Sequence, residues 1–150
     1  MARRPRWTVT AADISATALS TARARAAQTG LDSRIRWVQA DLARWEPAQT
    51  WDLVVTSYAH ADIGQLALYR RLAECVAPGG TMLVIGHLHH AAGGGDHHPE
   101  EATATLEGAL DVFGAAGWQI DSAYENTRTA GPGAAPITLR DMIVRTHRAT

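Results

Sequence analysis

The chain has 150 residues with a formal net charge of −1, which suits one domain with a real core and gives no basic field for nucleic acid. No apolar run approaches a membrane span, and the basic start MARRPRW lacks the apolar stretch of a signal peptide, so we expect a cytoplasmic protein. The single Cys75 excludes an intramolecular disulfide and a CxxC redox or zinc pair.

The first predicted strand ends in an acid and leads into a helix. WTVTAAD, residues 7–13, has the composition of a buried strand and ends at Asp13. Ser15 is a suitable N-cap, and residues 16–29 have high helix propensity. Gly30 stands where a glycine commonly ends a helix. This segment therefore predicts a strand, an acid and a helix in succession.

Two further strands follow without a predicted helix between them. IRWVQAD, residues 35–41, is a second strand that ends in an acid, Asp41. After a polar link, WDLVVTS at 51–57 gives a third strand rich in β-branched residues.

The next helix is predicted to begin near Asp62. Asp62 can cap this helix, and Gln65 can reach back to it as in a capping box. The sequence PGG at 78–80 predicts the end of the helix, and TMLVIG at 81–86 predicts an apolar strand covered on both faces. The apolar residues of this segment are spaced roughly as on one side of a helix: Ile63, Leu66, Leu72 and Val76.

The C-terminal part predicts a loop, a helix and a strand pair. Residues 87–98 have the composition of a loop, and Pro99 is suited to the first position of a helix with an apolar side. Residues 118–125 alternate as a half-buried strand does, and 137–146 form the last strand. Because only the turn-rich GPGAAP separates these two strands, we expect them to pair antiparallel.

Strands that alternate with helices predict an α/β fold with a mostly parallel sheet and right-handed crossovers. The predicted order is β-α-β-β-α-β-α-β-β, with an antiparallel hairpin at the C-terminus. An exposed edge of such a sheet would favour self-association.

Several segments, in this order, resemble the class I S-adenosylmethionine-dependent methyltransferases, especially small bacterial ones that act on small molecules. The matching segments are VTAADIS, RIRWVQADLARW, WDLVVTSYAH, VAPGGTMLVIGH and the terminal strand pair. The resemblance covers nearly the whole chain from about residue 7. It implies a Rossmann-like sheet, S-adenosylmethionine as the cofactor and a small-molecule methyl acceptor.

The resemblance also assigns cofactor-binding residues. Asp13 would hold the two ribose hydroxyls, Asp41 would lie beside the adenine amino group, and Ile14 and Leu42 would enclose the adenine ring. Ser57, at the end of the third strand, is a further cofactor-side residue. The residues alone leave other roles open: Asp13 could cap the following helix, Asp41 could be a turn acid, and Ile14 and Leu42 could be ordinary core.

Candidate substrate-side residues follow the third and fourth strands, whose ends face the ligand cleft in open α/β sheets. Tyr58 is predicted to contact the substrate. His60 and His87 are candidate catalytic bases, because an unperturbed histidine titrates near neutral pH and a base helps when the acceptor must lose a proton. Each histidine could instead be a loop residue bonded to backbone or water.

Five of the seven histidines lie in residues 87–98, which raises the question of a metal site. The stretch contains GGG, no cysteine and no helical H-x-x-x-H pair. We therefore interpret it as a mobile polar lid and predict no metal.

The chain departs from the family at its start, because a first strand and a glycine-rich loop for the methionine end of the cofactor are missing before Asp13. We expect an N-terminally incomplete domain with impaired methyl transfer, and an upstream reading frame that supplies these parts. Two alternatives are a non-catalytic relic or interaction module, and a dinucleotide-binding Rossmann fragment. The second acid, Asp41, and the terminal hairpin disfavour the dinucleotide alternative.

Overall fold

A computed structural model of the protein describes residues 7–88, 104–114, 117–130 and 137–150. No helix within these ranges is long and apolar enough to cross a membrane. The chain divides into two compact units, Met1–Glu46 and Pro47–Thr150. The helices and strands are β1 (Val9–Asp13), α1 (Ala16–Gln28), β2 (Ile35–Gln39), β3 (Trp51–Ser57), α2 (Gln65–Glu74), β4 (Val76–His87), α3 (Leu106–Val112), β5 (Trp118–Ala130) and β6 (Ile137–Arg148).

The first unit is a strand–helix–strand motif. β1 and β2 pair in parallel, with Val9 opposite Ile35 and Asp13 opposite Gln39, and α1 packs on both strands. The Ser15 hydroxyl accepts a hydrogen bond from the Ala18 amide at 3.1 Å, as expected of the N-cap residue. The carboxyl ends of the two strands therefore lie at the same edge of this pair.

The second unit is a four-stranded mixed sheet in the order β3-β4-β6-β5. β3 and β4 are parallel, whereas β6 is antiparallel to both β4 and β5. The α/β class and the antiparallel C-terminal hairpin predicted from the sequence are confirmed. Since β6 runs against β4, its first half lies beside the carboxyl end of β4.

The core of the second unit lies between this sheet and the helices α2 and α3, which also contact each other. β4 alternates, so that Met82 and Val84 are fully buried while Leu83 and Ile85 are only half-buried. The other large core side chains are Leu68, Tyr69, Val76, Phe113, Met142 and Val144. The sequence predicted a strand covered on both faces, and in the structure one face is completely buried and the other half-buried.

β4 begins five residues earlier than the sequence predicted, and PGG does not end the preceding helix. The helix ends at Glu74, and residues 78–80 form an irregularity inside the strand, where the register with β3 shifts. A Cβ at Gly80 would lie 2.8 Å from the Ala77 carbonyl oxygen and 3.0 Å from that of Trp51. Only glycine permits so close an approach of backbone to backbone.

The start of α2 lies later than the predicted one near Asp62, because the helix begins at Gln65 after Gly64, whose φ is +83°. The Gln65 amide donates to the Ala59 carbonyl oxygen at 2.8 Å and to the Tyr69 hydroxyl at 2.9 Å. Gln65 is buried and ties the loop after β3 to the first turn of α2.

Other predicted boundaries shift because hydrogen bonding overrides local composition. In the described part of the segment after Pro99, α3 begins at Leu106 with Thr105 as N-cap, and Ala104 forms a bridge with Leu88. Pro99 itself lies outside the described residues. The second strand ends at Gln39, two residues before Asp41, while β5 and β6 extend beyond their predicted ends because the hairpin ladder continues.

Gly86 is a packing requirement of the core, and alanine there should lower the free energy of unfolding by about 1–3 kcal/mol. An added Cβ would lie 2.6 Å from the Tyr69 hydroxyl oxygen and 3.2 Å from the Met142 Cε, both buried. Urea unfolding measures the change. Gly114→Ala is the control, since the nearest atom to its Cβ would be the Asp111 carbonyl oxygen at 3.6 Å, an ordinary contact distance. If adding Tyr69→Phe recovers none of the loss, the steric explanation is wrong.

Candidate active site

Asp13 lies at the carboxyl end of β1 and does not cap α1. Its Oδ1 accepts a hydrogen bond from the Ser15 amide at 2.7 Å, which forms a short turn before the helix, while Ser15 itself is the N-cap. The carboxylate is half-buried. Because a carboxylate offers about four lone-pair positions, Asp13 keeps the capacity to accept further hydrogen bonds.

Ile14 follows Asp13 and is 65% exposed, so it is not ordinary core. Its carbonyl oxygen accepts a hydrogen bond from the Gln39 side-chain amide at 3.3 Å, which joins the ends of the two parallel strands. An acid beside an exposed branched apolar side chain can receive a ligand with both a hydroxyl-bearing part and a flat apolar part.

Asp41 lies two residues beyond β2 and closes a turn. Its Oδ1 accepts from the Ala43 amide at 2.9 Å, its Oδ2 pairs with Arg44, and its carbonyl oxygen accepts from the Trp45 amide at 2.7 Å. Leu42 is half-buried within this turn. The turn role that the sequence left open for Asp41 is therefore present, and its role toward a ligand stays a prediction.

Ser57 and Tyr58 stand at the carboxyl end of β3. Ser57 is exposed, and the Tyr58 amide donates to the Ile85 carbonyl oxygen at 2.9 Å. Tyr58 has a φ of +55°, a left-handed conformation that costs a bulky residue about 1–2 kcal/mol. His60, two residues on, is exposed on the loop before α2, and its predicted role as a base stays a prediction.

Tyr58 and His87 meet around a buried acid, Asp141, which the sequence analysis missed. The Tyr58 hydroxyl donates to Asp141 Oδ2 at 3.0 Å, and His87 Nδ1 lies 2.9 Å from Oδ1. Arg128 Nε donates to Oδ2 at 2.6 Å. The side chain of Asp141 is only 2% exposed, whereas those of His87 and Arg128 are 36% and 38% exposed. We call these four residues the Asp141 cluster.

The pairing of β4, β6 and β5 explains how the cluster forms. His87 at the end of β4 is directly opposite Asp141 in β6, and Arg128 in β5 is one step diagonal to it, opposite Leu139. The rings of Tyr58 and His87 are 4.5 Å apart between centroids, and the Arg128 guanidinium carbon lies 5.4 Å from the Tyr58 ring centroid. Three elements thus enclose one carboxylate with three donors.

The cluster keeps Asp141 ionised. Burial alone raises the pKa of this carboxyl, but hydrogen bonds from Arg128, Tyr58 and His87 outweigh burial, so the pKa is lowered from its ordinary value of 3.8. A carboxylate without a proton can only accept, so His87 donates through Nδ1–H. When the imidazole is neutral, its Nε2 is then an unprotonated base.

A sequence signal for Asp141 exists in retrospect. In ITLRDMIVRT, the face defined by Leu139 and Ile143 is apolar, and Asp141 is an acid at the position between them. An acid on an apolar strand face calls for buried donors. Arg128 has no comparable signal, because its partner depends on the strand register of the hairpin.

Among the described residues, no group of three or more His, Cys, Asp or Glu side chains could hold a metal ion. Four histidines of the histidine-rich stretch, His89, His90, His97 and His98, lie outside the described residues. The predicted lid lies there too, so it stays a prediction.

Comparisons with known proteins agree with this architecture. A family model described as "Methyltransferase domain" matches residues 1–80, more than half of the 150-residue chain and including Asp13, Asp41 and Ser57. No curated protein matches the chain.

Solved structures with similar folds include TehB from Haemophilus influenzae, with a TM-score of 0.74 and 12% identity over 96% of this chain and 50% of that one. N-methyltransferase NodS from Bradyrhizobium japonicum WM9 has a TM-score of 0.66 and 14% identity, over 94% of this chain and 73% of that one. For its complex with S-adenosyl-L-homocysteine, the TM-score is 0.63 and the identity 14%, over 93% of this chain and 65% of that one. For the [4+2]-cyclase SpnF, the TM-score is 0.67 and the identity 14%, over 93% of this chain and 66% of that one.

The chain therefore spans between half and about three quarters of the length of these similar structures. At such identities the likeness shows the fold alone, and the names of these proteins cover more than one chemistry. Family membership comes instead from the match over residues 1–80. The resemblance seen in the sequence is confirmed: the chain belongs to the methyltransferase domain family and has the class I methyltransferase fold.

Proposed function

We propose that the protein takes part in methyl transfer from S-adenosylmethionine to a small-molecule acceptor. The observation that supports this most directly is the pairing of Asp13 with the exposed Ile14 at a strand end within the segment that matches the methyltransferase domain. In open α/β sheets, ligands bind beyond the carboxyl ends of the strands, where both residues lie.

The described residues fit the adenosine part of this donor. Asp13 would accept the ribose hydroxyls, since its carboxylate is half-buried and has spare acceptor capacity. Ile14 would contact one face of the adenine, and Leu42 in the turn after β2 would contact the other. Asp41 would accept from the adenine amino group in addition to its turn contacts. When bound, the donor supplies an electrophilic methyl group on a sulfonium.

Ser57 and Tyr58, at the end of β3, are proposed to face the donor and the acceptor respectively. A non-catalytic interaction module with the same fold is the alternative, and the binding experiment below distinguishes the two.

Asp13→Ala is expected to weaken binding of S-adenosylhomocysteine at least tenfold, because hydrogen bonds to a charged group contribute about 1.5–3 kcal/mol and 1.4 kcal/mol is tenfold. Titration followed by amide NMR measures dissociation constants into the millimolar range and reports on Ile14 and Leu42 directly. The thermal midpoint should change little, because Ser15 keeps its capping bond to Ala18.

Asp52→Ala is the matched control, because Asp52 is an exposed acid of β3 and no ligand role is assigned to it. NAD is the control ligand. If wild-type protein shows no shift with S-adenosylhomocysteine at millimolar concentration, or binds NAD more tightly, the proposed function is wrong.

A further inference from the structure

The Asp141 cluster fixes the orientation and the tautomer of the His87 imidazole, which nothing would fix in a histidine alone on a loop. Its Nδ1 is held 2.9 Å from a carboxylate that is almost completely buried. The same carboxylate is neutralised by Arg128 and accepts from the Tyr58 hydroxyl. The imidazole is therefore held in one orientation and one tautomer, with Nε2 as its base, while a third of its side chain stays exposed.

We propose that His87 is the general base of this site, that Asp141 positions it, and that the acceptor is a neutral hydroxyl compound, an alcohol or a phenol. The inference rests on the proposed function, whose acceptor it specifies. His87 and the carboxyl ends of β3 and β4 lie where acceptors can approach in an open α/β sheet.

The chemistry balances with these groups. The acceptor oxygen forms a bond to the methyl carbon, and the carbon–sulfur bond breaks with both electrons remaining on sulfur. The hydroxyl proton passes to His87 Nε2. The imidazolium that results keeps its Nδ1–H bond to Asp141, whose negative charge offsets the new positive charge. Water returns the imidazolium to its neutral form after release of the product.

The cluster favours a hydroxyl over other acceptors. A carboxylate acceptor needs no base, so an oriented histidine would add nothing to its reaction. An ammonium acceptor would enter beside the Arg128 guanidinium, and it cannot reach the carboxylate of the cluster, because the Asp141 side chain is only 2% exposed. A neutral hydroxyl avoids both conflicts.

A second histidine–aspartate pair in the same unit provides the matched control. His147 Nδ1 lies 2.8 Å from Asp121 Oδ1, and the His147 side chain is 37% exposed, almost the same as that of His87. His147 pairs with Thr81 of β4, at the opposite end of the ladder from His87. It should therefore share the tautomer of His87 without sharing its contact with an acceptor.

The test uses long-range ¹⁵N NMR of the full chain with 4-methylphenol and benzylamine as probes, with and without S-adenosylhomocysteine. His87 in wild-type protein should carry its proton on Nδ1, and the phenol should shift the Nε2 resonance of His87 but not that of His147. Asp141→Asn should abolish the single tautomer of His87, and His87→Asn should weaken phenol binding at least tenfold. His147→Asn should leave phenol binding unchanged.

Three results would overturn the inference: a proton on His87 Nε2 in the wild type, an unchanged His87 tautomer in Asp141→Asn, or a His87 response to the amine and not to the phenol. If Asp141→Asn does not fold, His87→Asn still tests the base, because His87 is partly exposed. Shifts of Ile14 and Leu42 by S-adenosylhomocysteine report separately on the proposed function, so that either hypothesis can fail without the other.

Discussion

Replacing Tyr69 by alanine is expected to lower the free energy of unfolding by about 3–5 kcal/mol, the range found for truncation of large buried aromatic residues. The Tyr69 side chain projects from α2 and has no exposed surface. It packs against β4, where its hydroxyl occupies the space that Gly86 leaves open. Burial raises the pKa of Tyr69, so the phenol is neutral and packs as an apolar ring with one polar atom.

Tyr69→Phe separates the ring from the hydroxyl. The phenylalanine variant loses the hydrogen bond from Gln65, but the Gln65 amide keeps its bond to the Ala59 carbonyl oxygen, so the cost should be about 1 kcal/mol. Urea unfolding at neutral pH measures both variants. The alanine variant should be less stable than the phenylalanine variant by well over 1.5 kcal/mol, which is roughly half the expected difference. A smaller difference would mean that the core collapses around the cavity, and the packing argument would be wrong.

Asp141→Ala is expected to lower the free energy of unfolding by about 2–3 kcal/mol at pH 7, because it leaves three donors without their acceptor. We expect less than for a completely buried ion pair, since the partly exposed Arg128 side chain can turn to water. Asp121→Ala on the same hairpin is the control. Its ion pair with Arg145 and its hydrogen bond with His147 lie nearer the surface and should contribute less than about 1 kcal/mol.

The loss of stability caused by Asp141→Ala should become smaller as the pH falls. The folded-state pKa of Asp141 is lowered below 3.8, so its stabilising contribution is complete above that pH and is lost as the pH falls through the lowered pKa. The difference in unfolding free energy between wild type and Asp141→Ala should therefore be smaller below pH 3.8 than at pH 5. A difference that does not change with acid would show that Asp141 acts only through packing.

Much of the fold follows from local sequence patterns. The strand that precedes Asp13, the capped helix after it and the terminal hairpin follow from composition, capping and loop length. The sequence did not predict that β4 runs through PGG, because a glycine-rich stretch reads as a helix stop unless the neighbouring strand is known. It also misplaced the start of α2, which begins at Gln65 after a glycine with positive φ rather than near Asp62.

The candidate site was predictable only in part. Strand ends identified Tyr58 and His87 as cleft residues, and the structure brings these two together. Asp141 and Arg128 were missed because their contacts depend on which residues of β4, β5 and β6 stand opposite each other. His87 and Asp141 are separated by 54 residues of sequence. The register that places them opposite each other is a property of the folded sheet and is not encoded in any local pattern.

The left-handed backbone at Tyr58 has a consequence for laboratory evolution of this protein. In a library randomised at position 58, glycine and asparagine would relieve the backbone conformation, and a screen for heat resistance would tend to enrich them. Neither supplies a phenol to Asp141 or a ring to His87. If the protein acts as proposed above, a screen for methyl transfer would enrich tyrosine instead, so the two selections would drive this one position toward different residues.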